Sequence, residues 1–358
     1  MDFTPTEEQS AAQELAARIF GDLATHERLA AAGTGTDAEL WKALCAAGLP
    51  GAVEEIGLLG MVLLAEEQGR TTAQVPFAAS GVFGLLAVAR HGTEEQRERL
   101  LPGLRDGTSV ATGAFPPAGQ VRADGDGRLT GTVEWVPWLR DATHVLVPDQ
   151  DGALRLVPMA GASVEASTAA SIEPSSAASV VPVELTAPWA AGRLVLDGAR
   201  GERIGGPGAF ADVLATARIV FAGLQAGVCA GSLARAVAYT SVREQFGRPL
   251  STHQAVQLRA ADAHMDTEAI RVTVYEAAWR LDEGLPAAEH ALTAAWWASE
   301  AGKRVVHAGQ HLHGGMGADL DHPVHRHFLW GRQLDAYLGC GTELLAELGD
   351  LIANGERS

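Results

Sequence analysis

The sequence predicts an α+β fold in three successive parts: a helical domain at residues 1–108, a small β-barrel or β-sandwich at 109–205, and a four-helix bundle at 206–358. Two observations support this prediction. Apolar residues recur at helical spacing in the first and last parts, whereas the middle part consists of short β-branched segments separated by Gly, Pro and Asp. Hydrophobic residues make up 47% of the chain, which is enough for a large core.

The N-terminal part is predicted to be helical. Its first helix follows T-P-T-E-E-Q at residue 4, where a threonine and two early acids are typical of a helix start. Further helical stretches cover 37–47, 57–70 and 76–90. The segment T-E-E-Q-R-E-R-L-L-P (93–102) predicts a short capped turn of helix that ends before G-L-R-D-G.

The middle part is predicted to form a sheet from five segments, at 109–115, 127–136, 142–148, 153–158 and 192–197. Residues 160–190 are rich in Ala, Ser and Pro, which indicates an irregular excursion from the sheet, with disorder as the alternative. The last part is helical again, with long periodic stretches at 209–241, 252–282, 286–313 and 341–354. Long helices with short connections are typical of a bundle.

Charge and cysteine usage limit the class of protein. The 27 basic and 44 acidic residues give a formal net charge of −17, which argues against nucleic acid or an anionic membrane as a partner. The cysteines Cys45, Cys229 and Cys340 are far apart in sequence, as in a protein with reduced thiols. No signal peptide is recognised, and the apolar runs are broken before about 18 residues. We therefore expect a cytoplasmic protein without a membrane span.

One distinctive stretch runs from Arg218 to Gln254 and contains Y-T-S-V-R-E-Q-F-G-R-P-L. Its helix is rich in small residues and ends at Arg243, Phe246 and Gly247. A guanidinium beside an aromatic ring at a helix end suits a phosphate and an adenine. The alternative is an ordinary helix–turn–helix with a surface arginine.

A second distinctive stretch is Q-H-L-H-G-G-M-G-A-D-L-D-H-P-V-H-R-H-F, residues 310–328. Its glycines permit close approach of a ligand to the backbone. Its five histidines raise a metal site as an alternative: His311, His313, His322, His325 and His327. Because His311 and His313 are two residues apart, they cannot both face one metal from a regular helix. No Cys or Glu stands at ligand spacing nearby, so no metal is expected.

Together with A-E-E-Q-G-R (65–70) and T-E-E-Q-R-E-R-L-L-P-G-L-R-D-G (93–107), these stretches resemble the acyl-CoA dehydrogenase family over nearly the whole chain. The family consists of FAD enzymes that remove the α and β hydrogens of acyl-CoA thioesters. The resemblance implies the same α–β–α order of domains. It also implies that the two stretches hold the ADP half of an FAD that belongs to a neighbouring subunit. The residues carried over for that role are Arg243, Phe246, Gly247, Gln254, His311 (where many relatives have Gln), Gly314, Gly315, Gly317 and Thr342.

The resemblance also identifies where a catalytic base is expected. The family usually places a Glu just before a G-T, but here Cys340 precedes Gly341 and Thr342. Counting from the G-G-x-G turn moves that position to Leu338. Other branches place the Glu before an arginine of the long helix, where this chain has Ala217 before Arg218. None of these positions holds a carboxylate that could serve as the base. Arg218 remains a candidate substrate-binding residue.

Three segments that a family member uses for its own flavin are altered. A T-E-P-G-x-G-S-like loop is replaced by A-F-P-P-A-G-Q (114–120), and a P-E-x-x-G-G loop by A-V-E-E-I-G-L-L-G (52–60). A W-I-T-like strand becomes W-V-P-W (135–138), where Pro137 offers neither a hydroxyl nor an N–H. By this resemblance, the sequence keeps the residues that contact a neighbour's flavin but lacks those that contact the chain's own flavin.

This asymmetry predicts a subunit that works beside a catalytically complete one. The chain resembles the base-less partner chains of actinobacterial heterotetrameric acyl-CoA dehydrogenases of steroid breakdown, so an acyl-CoA, with a steroid side-chain CoA ester as one candidate, is the expected substrate. The first alternative is an autonomous or self-associating FAD enzyme with a relocated base, the candidates being Asp335, Glu343, Asp319 and Asp321. The second is a protein of this fold without redox chemistry. A third hypothesis, Cys340 as a nucleophile at a helix N-terminus, lacks a recognisable histidine or acid partner.

Overall fold

The computed structural model describes residues 3–115, 120–160, 162–164 and 177–355. Helices dominate its two ends. They are α1 (Glu7–Leu23), α2 (His26–Ala32), α3 (Ala38–Ala46), α4 (Leu49–Thr71), α5 (Phe77–His91, with a π-helical turn at Gly81–Leu86), α6 (Glu94–Asp106), α7 (Ala209–Val242), α8 (Gln254–Asp282), α9 (Ala288–Leu312), α10 (Val324–Asp335) and α11 (Gly341–Gly355). The prediction that the N-terminal and C-terminal parts of the chain are helical is therefore confirmed.

Helix starts follow the capping residues seen in the sequence. The Thr6 hydroxyl accepts from the Gln9 N–H, and the Gln9 side chain accepts from the Thr6 N–H. Thr93 and Gln96 make the same reciprocal pair at the start of α6. Such a capping box satisfies two backbone donors that a helix start leaves unpaired.

The predicted end of α6 is wrong. The helix runs through Pro102 to Asp106 and stops at Gly107, which has a left-handed φ of 76°. Its buried face continues past the proline to Leu104, and the apolar packing keeps the last turn in place. A glycine just past the last turn is a common helix terminator because it adopts this φ without steric cost.

The middle part contains the strands of two sheets. They are β1 (Ala111–Gly113), β2 (Val121–Ala123), β3 (Arg128–Val136), β4 (His144–Pro148), β5 (Leu154–Pro158), β6 (Ser163–Val164), β7 (Ala178–Pro182), β8 (Gly192–Arg200) and β9 (Glu202–Ile204). The sheet orders are β1-β4-β5-β9 and β2-β3-β8-β7-β6. Buried side chains from both sheets, such as Val157 and Leu194, share one core, so the predicted sandwich is confirmed.

The expectation of an irregular excursion at 160–190 is wrong for 178–182. There β7 is an inner strand, paired antiparallel with β8 from Ala178 to Pro182. The strand is only five residues long, and its alanine, serine and proline neighbours hid it in the composition. Residues 161 and 165–176, on which the disorder alternative also bears, lie outside the described residues.

The described chain forms two compact units. The first contains 3–26, Gly57–Ala73 and 218–355, which is mainly the helical bundle; the second contains Glu27–Ile56 and the described parts of Gln74–Ala217. The predicted boundaries at 108 and 205 stay a prediction. In the first unit, the second part of α4 begins after Gly57, where the Asp282 carboxylate accepts from the N–H groups of Leu58 and Leu59 at 2.8 and 2.9 Å.

Small residues on α7 allow it to pack tightly against α4. A methyl group on Gly227 would strike the Glu66 carbonyl, and one on Gly231 would strike the Arg70 carbonyl. Among the described helices, α7 is long and apolar enough to be a candidate membrane span, and the bent pair of α3 and α4 passes the same test if it is counted as one. The apolar window of α7 is 83% buried within the protein, as in a core helix.

Candidate functional site

An open cavity of about 530 Å³ lies where α7 ends and α8 begins. A short hairpin, β10 (Glu244–Gln245) and β11 (Arg248–Pro249), forms one side, and the turn after α9 forms another. We call this cavity the cradle. Its lining is Tyr239, Arg243, Gln245, Leu250, Val256, His311, Leu312, His313, Gly314, Gly315 and Met316.

Arg243 and Phe246 stand exposed on the hairpin side of the cradle. The Arg243 side chain has no hydrogen-bond or ion-pair partner within the described residues, while its backbone bonds to Tyr239 and Leu250 fix the turn. Phe246 is 92% exposed and has a φ of 56°, which is unusual for a non-glycine residue. The Phe246 ring therefore lies outside the packed core.

The glycine turn keeps the backbone accessible from the cradle. Gly314 has a φ of 61°, a conformation that favours glycine, and a Cβ at Gly314 or Gly315 would meet no atom within 4 Å. Gly317 differs, because a methyl group there would strike the Gln310 carbonyl. The Gln310 side-chain amide donates to the Gly317 carbonyl at 3.1 Å. Gly317 therefore shapes the turn, and the other two glycines leave space beside it.

The structure brings some of the predicted binding residues to the cradle and leaves others outside its lining. Arg243, His311, Gly314 and Gly315 line the cradle. Phe246 and Gly247 lie on its hairpin, and Gln254 is the first residue of α8. Thr342 is not among the lining residues; it lies at the start of α11. Sequence reasoning missed Tyr239, although its position one helical turn before Arg243 was a usable signal.

Two histidines of residues 310–328, His313 and His327, serve packing. His313 is buried, stacks on Tyr239 at 4.9 Å, and its Nδ1 lies 2.7 Å from the Gly309 carbonyl. Burial lowers the pKa of His327 to about 4, and its Nε2–H donates to the Arg70 carbonyl at 3.0 Å. Within the described part of the chain, no three His, Cys, Asp or Glu side chains converge to hold a metal ion.

A second cavity, which we call the inner cavity, lies between α7, α9 and α10 in the same unit. Its volume is about 20 Å³, room for about one water molecule. The lining residues are Arg218, Phe221, Ala222, Gln225, Ala295, Ala298, Leu334, Tyr337, Leu338, Gly339 and Leu344. None of them is a carboxylate.

Of the three residues at expected base positions, only Leu338 lines the inner cavity. Leu338 has a φ of 64° and Gly339 one of 110°, and these left-handed residues turn the linker between α10 and α11. The Leu338 carbonyl accepts from Arg218 Nε at 3.3 Å. The buried Arg218 guanidinium also makes a bidentate pair with Glu347, at 2.8 and 2.7 Å. Arg218 is thus satisfied by its own chain.

Cys340 and Glu343 together cap α11. The Glu343 carboxylate accepts from the Cys340 N–H at 3.0 Å, and the Cys340 carbonyl accepts from the Leu344 N–H at 2.9 Å. The Cys340 sulfur lies 3.4 Å from the Thr342 hydroxyl. Glu343 has the position of the third residue of a capping box, which gives it a structural role.

The other candidates for a relocated base also lie outside both cavities, and two of them, Asp335 and Asp319, accept hydrogen bonds within the chain. Asp335 accepts from the Ser299 hydroxyl at 2.5 Å and pairs with Arg332 at 3.1 Å. Asp319 accepts from the backbone N–H of the exposed Asp321 at 3.0 Å. None of the four lines the cradle or the inner cavity.

In the second unit, described residues of two altered flavin segments, 135–138 and 114–120, are buried. The Pro137 carbonyl accepts from the buried Thr112 hydroxyl at 2.6 Å. The next residue, Trp138, is fully buried and stacks on Trp189 at 4.5 Å. Phe115 is also buried within an aromatic cluster. Residues 116–119 of the altered loop lie outside the described residues, and 52–60 is helical with a break at Gly57.

Comparison with known proteins gives matches at both ends of the chain and over its full length. The acyl-CoA dehydrogenase N-terminal domain matches residues 6–108, and the acyl-CoA dehydrogenase C-terminal domain matches 205–347. Acyl-CoA dehydrogenase FadE27 of Mycobacterium tuberculosis is 34% identical over 99% of both chains.

Two similar solved structures are heteromeric by their descriptions. One is a variant of the Tcur3481–Tcur3483 steroid ACAD (acyl-CoA dehydrogenase). Its TM-score is 0.89, with 41% identity over 98% of this chain and 99% of that one. The other is the ChsE4–ChsE5 complex from Mycobacterium tuberculosis, with a TM-score of 0.89 and 33% identity over 99% of each chain. Butyryl-CoA dehydrogenase of Megasphaera elsdenii, at 23% identity and a TM-score of 0.83, shares the fold.

Proposed function

The chain belongs to the acyl-CoA dehydrogenase family, and we propose that it is the base-less subunit of a heteromeric FAD-dependent acyl-CoA dehydrogenase. In this proposal it holds the ADP side of an FAD whose reactive ring lies in a second, catalytically complete subunit. The observation that carries the proposal is the contrast between an open cradle of about 530 Å³ and an inner cavity of about 20 Å³ without a carboxylate.

The cradle suits the ADP half of FAD. The exposed Arg243 guanidinium offers charge-assisted hydrogen bonds to a phosphate, and the Phe246 ring offers an apolar face to an adenine. The open backbone at Gly314 and Gly315 admits a ligand at van der Waals distance. When bound, FAD supplies the acceptor for the β-hydride; this chain's residues bind and orient it.

The inner cavity does not suit acyl-CoA oxidation by this chain. Removal of the α-proton needs a carboxylate within hydrogen-bond reach, or one water away, of the acyl group. Here Leu338 occupies the position that faces the cavity, and the Arg218–Glu347 pair ties the adjoining linker to α11. We therefore assign the base and the acyl site to the second subunit.

The relatives support the choice of partner and substrate. The two similar structures described above as a steroid ACAD and as a ChsE4–ChsE5 complex indicate a second acyl-CoA dehydrogenase chain as the partner. They also favour a steroid side-chain CoA ester as the acyl group that the complex desaturates. This chain's own residues are neutral on that last point, because its inner cavity has a volume of only about 20 Å³.

Co-expression tests the proposal. The chain is purified alone and together with an acyl-CoA dehydrogenase encoded beside it, and flavin is read from its absorbance near 450 nm. We expect a colourless protein alone and a yellow complex that oxidises steroid-CoA esters. A chain that is yellow by itself and oxidises acyl-CoA would refute the partner-subunit proposal in favour of an autonomous enzyme.

A further inference from the structure

The cradle is lined by side chains that are cationic or can become so. Arg243 lies at the end of α7, and His311 and His313 lie where α9 ends. Among the described residues that form the lining, none is a carboxylate. The cradle thus differs in charge from the whole chain, which has a formal net charge of −17. A cavity lined by one sign of charge favours a ligand of the opposite sign, here an anion.

Two histidines in or beside the cradle are engaged within the chain. His313 is buried and lies against the rings of Tyr239 and His322, with centroid distances of 4.9 and 5.0 Å. At the hairpin, the Nδ1 atom of His253 lies 3.2 Å from the Arg248 guanidinium, which can only donate. Both imidazoles therefore already have contacts that fix their position in the walls of the cradle.

His311 differs from these two histidines. Its side chain is exposed and lines the cradle, and it has no hydrogen-bond or ion-pair partner within the described residues. Arg243 lines the same cavity and is exposed and unpartnered in the same way. Two side chains that can donate to an anion therefore share the cradle, and the chain itself supplies neither of them with an acceptor.

The charge of a histidine side chain changes between about pH 5 and pH 8. The pyrophosphate of FAD is a diester and stays anionic over this range, so only the protein side of the contact changes. Apart from His311, the charged or titratable residues of the lining are Arg243, Tyr239 and His313. The hairpin, the segment after it and α8 contribute uncharged lining residues: Gln245, Leu250 and Val256.

We propose that protonated His311 is a second cationic binding group for the FAD pyrophosphate, so that the complex binds FAD more tightly at acidic pH. The inference rests on the proposed function, in which the cradle holds the ADP side of FAD. The imidazolium donates a charge-assisted hydrogen bond to a phosphate oxygen, in addition to those from Arg243. Because FAD binds the charged form of His311 better than the neutral form, FAD binding and proton binding favour each other. The affinity for FAD therefore rises as the pH falls.

Fluorescence titration of the flavin-free complex with FAD, at about pH 6 and about pH 8, tests this inference. We expect the wild-type complex to bind FAD about 10-fold more tightly at the lower pH. His311→Gln keeps a donor without a titrating charge, so it should bind FAD at both pH values with the wild-type affinity of pH 8. His311→Arg has a permanent charge and should bind FAD tightly at both. Melting temperatures check that each variant is folded.

The control is His264→Gln, an exposed histidine of α8 outside the cradle lining, which should keep the wild-type pH dependence. A wild-type complex without pH dependence, or a His311→Gln complex that keeps it, overturns the inference and leaves the proposed function in place. Arg243→Ala is titrated in the same series. An FAD affinity that this variant leaves unchanged at both pH values contradicts the proposed function itself, and the inference with it.

Discussion

Arg218 and Arg243 belong to the same helical stretch, about 38 Å apart along its axis. Arg218 is buried and is neutralised by Glu347 of its own chain. Arg243 is exposed and has no partner within the described residues. The inner cavity around Arg218 has a volume of only about 20 Å³, and the cradle beside Arg243 one of about 530 Å³; we call these the closed and the open end of α7. The chain itself completes one end of α7, and the proposed function assigns the other end to a ligand held together with another chain.

The largest expected effect comes from His327, which packs against α7 between the two arginines. Burial lowers its pKa to about 4, whereas an unfolded histidine titrates near 6.5. The unfolded state therefore binds a proton first, and stability falls as the pH drops from about 6.5 to 4, by up to about 3 kcal/mol.

Urea unfolding at pH 7 and pH 4.5 measures this loss. His327→Gln should reduce the pH dependence over that range, because glutamine keeps a donor for the Arg70 carbonyl but does not titrate. His264→Gln, at an exposed position on α8, is the matched control and should leave the dependence unchanged. An unaltered pH profile in His327→Gln would assign the effect to other groups.

Arg243→Ala tests the open end. Loss of charge-assisted hydrogen bonds costs about 1.5–3 kcal/mol, so FAD affinity of the complex should fall about 10- to 100-fold. The melting temperature of the flavin-free chain should not change, because the side chain makes no contact that stabilises the fold. Fluorescence titration with FAD measures the affinity. Arg248→Ala, on the same hairpin but outside the cradle lining, is the control; an equal loss there would mean that hairpin charge alone matters.

Glu347→Ala tests the closed end. It leaves the buried Arg218 guanidinium without its acid. Because the Glu347 side chain is 49% exposed and water reaches the pair, we expect a loss of about 1–2 kcal/mol in unfolding free energy. FAD affinity of the complex should stay the same. A large loss of FAD with unchanged stability would show that the two ends of α7 are not as separate as described.

Cys340→Glu is expected to have the smallest effect. The Cys340 side chain contacts Thr342 at the start of α11 and does not line the inner cavity. A glutamate there is therefore not placed to remove an α-proton, and the isolated chain should remain inactive toward acyl-CoA. Activity in this variant would mean that a substrate enters the inner cavity and that this chain holds a complete acyl site of its own.

Much of the fold is predictable from local signals. The threonine caps at Thr6 and Thr93, the long periodic helices and the β-branched segments each act within a few residues. The cradle is predictable because its arginine, aromatic residue and glycines are close together in two short stretches of sequence. Such local patterns can be recognised in the sequence without knowledge of distant contacts.

The closed end was less predictable because it depends on long-range contacts. Arg218 and Glu347 are 129 residues apart in sequence, and no spacing rule pairs them. Sequence counting left Cys340 and Leu338 as alternatives for the same position. The left-handed φ of Leu338 turns this residue to the inner cavity, and a positive φ at a leucine has no sequence signature.

The flavin content of the purified complex tests the central claim most directly. FAD released by heat is quantified against the amount of each chain, and the bound flavin is titrated anaerobically with acyl-CoA. We predict about one reducible FAD per pair of unlike chains, and a clearly lower FAD content when this chain carries Arg243→Ala. One reducible FAD per chain, with this chain's share unaffected by Arg243→Ala, would contradict the division of labour proposed for the two ends of α7.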